Sequence, residues 1–77
     1  MTTALDLNEG EKAIVKRING GYKLQAQLNN LGIHEDDLIE VKRKARFGPV
    51  LISVHNSNVA IGRGIAAKIE VEKYQGD

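Results

Sequence analysis

His34-Glu35-Asp36-Asp37, with His55 further along, is the stretch where imidazole and carboxylate donors lie nearest one another in the chain. Such donors suit a divalent cation. Consecutive side chains project in different directions, however, and neither H-E-x-x-H nor the calcium-loop spacing is present. The acidic turn therefore reads as a solvated connection. His34, Asp36 and His55 are weak metal candidates, no tight site and no cofactor are expected, and weak divalent-metal binding is left open. His55 itself reads as a solvent-facing residue beside a hairpin turn.

Nucleophilic chemistry has little to work with. Ser53 and Ser57 lie outside any G-x-S-x-G pattern, there is no cysteine, and the histidines are near acids only in sequence. Asn19-Gly20-Gly21 matches no phosphate-loop spacing and reads as a strand-to-helix turn. The run Lys42-Arg43-Lys44-Ala45-Arg46-Phe47 could track a nucleic-acid backbone, but Tyr22, Phe47 and Tyr74 are the chain's three aromatics, too few for a stacking platform. No nucleic-acid partner is expected. A charged edge strand that resists aggregation is the simpler reading of the lysines.

The whole chain bounds these readings. Its 77 residues make one small domain, 42% apolar and 27% charged, and the absence of cysteine leaves apolar packing as the source of stability. Eleven Lys and Arg against ten Asp and Glu give a net charge of +1, so charge alone names no partner. No apolar stretch is longer than three residues, as in Val50-Leu51-Ile52, and Met1 to Leu7 lacks the make-up of a leader, so the protein is expected in the cytoplasm, not inserted in a membrane.

What must position these residues is mainly β-structure. Asn8-Glu9-Gly10 turns the chain into a strand, Lys12 to Ile18, whose apolar positions do not alternate cleanly, so a bulge or two-sided burial is expected. Leu24, Leu28 and Leu31 fall at i, i+4 and i+7 and predict a short helix that packs them on the core, ended by a left-handed Gly32 with Ile33 packing back. In the next strand Ile39 and Val41 face inward while Glu40, Lys42 and Lys44 face outward. Val50 to His55 and Val59 to Ile61 form a hairpin about Asn56-Ser57, Ile65 to Lys68 makes one helical turn, and Ile69 to Glu72 is the last strand. Five strands of this kind close naturally into a small antiparallel barrel spanning about residues 5–72, with one helix between the first and second strands and a loose tail over 73–77.

The ordered landmarks resemble those of the FeoA family, small cytoplasmic components of bacterial ferrous iron uptake. Gly10-Glu11-Lys12-Ala13-Ile14-Val15-Lys16-Arg17-Ile18, Gly20-Gly21-Tyr22-Lys23-Leu24 and Leu28-x-x-Leu31-Gly32-Ile33 carry the likeness, continued by Gly48-Pro49 and Ala66-x-x-Ile69-x-Val71. The resemblance implies an SH3-like barrel, a non-enzymatic adaptor role and a partner, the FeoB membrane transporter with its cytoplasmic GTPase domain. It leaves self-association open. The same barrel resembles the C-terminal domain of iron-dependent repressors, so a regulatory or nucleic-acid-binding barrel is the alternative. Three positions depart from the family pattern: Glu35-Asp36 in place of a common Pro-Gly, which puts Asp36 in a turn conformation that glycine adopts more easily; Asn56 in place of a hairpin Gly; and Gly62-Arg63-Gly64-Ile65 in place of a charged helical turn. For a transporter partner, the expected contact is Tyr22, Lys23 and Gln25 on the open helix face, with Lys42 and Lys44 as steering charges.

Overall fold

The computed structural model describes residues 2–76. A 3-10 turn, Ala4–Asp6, leads into β1 (Lys12–Ile18), α1 (Tyr22–Asn30), β2 (Leu38–Lys44), β3 (Val50–Val54), β4 (Ser57–Ile61), the single-turn α2 (Arg63–Ala66) and β5 (Ile69–Lys73). All strand pairs are antiparallel, in the order β4-β3-β2-β1-β5. This is the expected mainly β architecture with a helix between the first two strands.

The sheet remains open between β4 and β5, where closure by strand pairing was expected. The outer edge of β5 is instead met by the N-terminal segment: the Val71 N–H donates to the Thr2 carbonyl at 2.9 Å, and Thr3 bridges Glu70. Ala4 and Leu7 are fully buried there, so the core begins at or just before the barrel's expected start at about residue 5. Lys73 ends β5 and the Tyr74 N–H donates to the Lys12 carbonyl, so the ordered ladder runs into the stretch expected to be loose. Met1 and Asp77, ends of the expected single domain and of its tail, lie outside the described residues.

Two bulges set which side chains enter the core. In β1 the register shifts between Val15 and Arg17, so Ala13, Val15 and Ile18 all face inward despite the broken alternation. In β2 the shift falls between Val41 and Arg43. Lys44 then pairs with buried Val50 and turns inward, which corrects its expected place beside Glu40 and Lys42 on the outer face.

The helix contributes Leu28, fully buried, and a half-buried Leu24. Leu31 is 41% exposed, where its spacing predicted burial. Regular helix ends at Asn30, and Gly32 at φ 93° reverses the chain with its N–H on the Asn29 carbonyl, while the Ile33 N–H reaches the Leu28 carbonyl at 2.9 Å. That paired C-terminal motif drops Ile33 into the core position the period assigned to Leu31. At the hairpin, His55 (φ 49°) and Asn56 (φ 65°) are both left-handed and Val54 pairs with Ser57, so the two-residue loop is His55-Asn56, one residue earlier than the sequence suggests.

Candidate functional site

The histidines expected to stand apart converge on one carboxylate. Asp37 Oδ1 lies 2.9 Å from His55 Nε2, and Asp37 Oδ2 lies 3.4 Å from His34 Nδ1 while accepting the His34 backbone N–H at 2.7 Å. Backbone pairing fixes the hub: the Val15 N–H donates to the Asp37 carbonyl at 2.9 Å and the Asp36 N–H to the Val15 carbonyl at 2.7 Å. Asp37 thereby ties the turn before β2 to the β3–β4 hairpin. Its neighbour Asp36, the acid among the weak metal candidates, sits at φ 72° with an exposed side chain, and neither histidine bonds to it.

Among the described residues no set of three or more histidine and acid side chains is arranged to hold an ion. Nor does either imidazole share a hydrogen bond with Ser53 or Ser57. The cluster's evident work is structural, a clamp between two turns.

Sequence reading missed Asp37 as the hub, although a spacing signalled it. Asp6 accepts the Thr3 N–H at 2.9 Å, Glu11 the Asn8 N–H at 2.7 Å, and Asp37 the His34 N–H, each carboxylate binding the amide three residues earlier. In Asp6 and Glu11 the backbone hydrogen bond is the main cause that holds the carboxyl below its ordinary value. For Asp37 desolvation pushes the carboxyl up, but the His34 amide and the His55 ring outweigh it and the net direction is down.

A carboxyl whose pKa is lower in the folded state adds stability that is present above the unfolded value and is lost as pH falls through the folded one. The thermal midpoint should therefore fall as pH drops below about 4, and Asp37→Asn should flatten part of that acid limb. Melting curves across that range check this. A wild-type midpoint that stays flat to about pH 2 would contradict the carboxylate geometry.

The residues expected to meet a partner fall at two ends of the molecule. Tyr22, 86% exposed, and Lys23 open α1 beyond the Ile18 end of β1. Gln25 folds back, donating from Nε2 to the Gly20 carbonyl at 3.1 Å. Lys42 sits at the β2 bulge with its ammonium 3.4 Å from Glu40. The Val41–Gly10 pairing puts it past the Lys12 end of β1, so the seven residues of that strand, about 20 Å of extended chain, separate it from α1. Lys44 donates its ammonium to the Leu5 and Leu7 carbonyls, the latter at 3.0 Å. Its charge thus holds the N-terminal segment. Between the ends, open grooves of ≈ 470 and ≈ 300 Å³ share Lys12 and Leu38 as a wall, the first also lined by Tyr74, the second by Ser53 and His55.

The model of the FeoA domain family matches residues 2–73 of this chain. A protein of Methanocaldococcus jannaschii, provisionally named Fe(2+) transport protein A, is 45% identical over 71 residues, covering 90% of this chain and 85% of its own. The crystal structure of an iron uptake regulatory protein (FeoA) superposes with a TM-score of 0.86 at 32% identity, covering 94% of this chain and 95% of that one. A manganese-dependent transcriptional repressor shares the fold at a TM-score of 0.87 and 20% identity, with 95% of this chain matched to 41% of the repressor.

Proposed function

This chain belongs to the FeoA family of ferrous iron transport, and from that premise we propose that it is a non-enzymatic cytoplasmic accessory protein that binds and modulates an FeoB-type transporter. The family match over residues 2–73 carries the reading. The chain's own chemistry agrees with it. The histidines are tied to Asp37 and face no nucleophile, and the open surface offers Tyr22 and Lys23 as an aromatic anchor with a cation beside it. No helix among the described residues is long and apolar enough to cross a membrane.

Docking in this reading uses the α1 face, with Tyr22 and Lys23 in contact and Gln25 holding the turn beneath them. Lys42 and Lys44 leave the contact set, the first by its distance, the second because its ammonium is engaged inward. Deleting the gene while leaving the transporter intact should lower ferrous iron uptake under anaerobic, iron-poor conditions, with restoration by the wild-type chain. Unchanged uptake in the deletion strain would overturn the proposal. The repressor likeness, one of fold, supports a regulatory barrel as second reading. That reading predicts altered transcription of uptake genes in the same strain with transport per transporter unchanged.

A further inference from the structure

The five-residue connection between β2 and β3, residues 45–49, is exposed throughout, and its central residue, Phe47, is 81% exposed. Gly48, at φ 89°, turns the chain there. Three arginines lie in or beside this tip. Arg43 pairs with Leu51, and Leu51 with Ala60, on the outer face of the sheet. Arg46 precedes Phe47 and is exposed. Arg63, from the start of α2, crosses to donate from Nη1 to the Ala45 carbonyl at 2.9 Å.

None of these three guanidinium groups forms an ion pair among the described residues. The carboxylate bonded at the base of the tip is Glu9, which accepts the Lys44 N–H and keeps its charge, so three arginine charges face one acid there. An exposed aromatic is left beside three arginines that form no ion pair among the described residues.

We propose that this tip is a peripheral docking site for an anionic lipid surface. Phe47 enters the headgroup boundary while Arg43, Arg46 and Arg63 meet lipid phosphates. Charge complementarity selects the class of partner, and shape separates it from other anions. Single-stranded nucleic acid asks for successive stacking faces, and this tip has one ring. A folded acidic protein asks for a pocket or groove, and the grooves beside Lys12 and Leu38 are lined by other residues. A lipid surface is soft and needs only an apolar wedge within a basic collar. The tip lies past the Lys12 end of β1, away from α1, so lipid and transporter contacts can form together.

The test is co-sedimentation of the purified protein with vesicles of phosphatidylglycerol and phosphatidylcholine, beside vesicles of phosphatidylcholine alone. It needs no transporter, so its failure leaves the transporter reading standing, and the reverse. Expected is binding to the anionic vesicles only, weakened as salt shortens the screening length from about 10 Å at 0.1 M to about 3 Å at 1 M. Each of Arg43→Ala and Arg46→Ala should lower partitioning about five-fold, the equivalent of about 1 kcal/mol per basic residue at the surface. Phe47→Ser should lower it with the salt slope unchanged, and Lys68→Ala, at the other end of the molecule, should leave it unaltered. The proposal is overturned by absence of binding to anionic vesicles, by equal binding of all variants, or by binding of DNA or polyglutamate through these arginines without vesicle binding.

Discussion

Leu28→Ala should lower stability by roughly 2 to 5 kcal/mol, a large part of what a domain of this size holds. Leu28 is fully buried, the one α1 residue whose side chain is wholly enclosed, and its carbonyl accepts the Ile33 N–H that closes the helix end. Truncation opens a cavity at the joint between α1 and the sheet, where Ile33 rests. At about 4 to 8 °C per kcal/mol, the midpoint should drop by at least about 8 °C. Thermal unfolding followed by circular dichroism reads it directly. Leu31→Ala is the internal contrast, because Leu31 stands 41% exposed and should cost under about 0.5 kcal/mol. Equal losses at the two leucines would mean that the helix packs on the face its sequence period suggests, contrary to the structure.

Beginning the chain at Asn8 should cost roughly 3 to 6 kcal/mol. Losing buried Leu7 accounts for about 1.5 to 3 of that. The rest comes from Lys44, whose ammonium loses its acceptors at Leu5 and Leu7 and whose side chain faces the core side of β2. The outer edge of β5 is uncovered at the same time, since the Val71 N–H no longer meets the Thr2 carbonyl. The shortened protein should therefore unfold at a much lower urea concentration and aggregate on concentration. Lys44→Met in the full-length chain should be far milder, because it removes the partly buried charge together with its need for partners. A shortened chain as stable as the full one would refute the structural part given to residues 2–7.

These two expectations mark how far the sequence could be read. The strands and helix were legible because Ile39 and Val41 alternate and Leu24 and Leu28 recur at helical spacing, and Gly32 announced where the helix stops. Leu31 misled because period alone cannot tell the last helical residue from a cap, and the Gly32 reversal gave its core position to Ile33. Lys44 was misplaced by a bulge, a one-residue insertion that flips every later side chain and leaves no mark in a run of basic residues. The N-terminal segment was missed because Thr2 and Thr3 read as polar, while what they contribute is backbone pairing to β5. At the candidate site both histidines were visible, but not that one carboxylate, Asp37, draws them together. Left-handed Asp36 turns its own carboxylate away, so Asp37 faces them instead.

The central claim is that this family member acts by gripping a transporter through α1. Isothermal titration of the purified protein into a detergent-solubilised FeoB-type transporter from the same cell tests it most directly. The account predicts saturable binding that Tyr22→Ala with Lys23→Glu abolishes, while the thermal midpoint of the double variant stays within a few degrees of wild type. That follows because both residues are exposed and surface changes usually cost under about 0.5 kcal/mol. Gln25 is left in place to keep its bond to the Gly20 carbonyl. Absence of any binding heat between wild-type protein and intact transporter, or undiminished binding by the folded double variant, would contradict it.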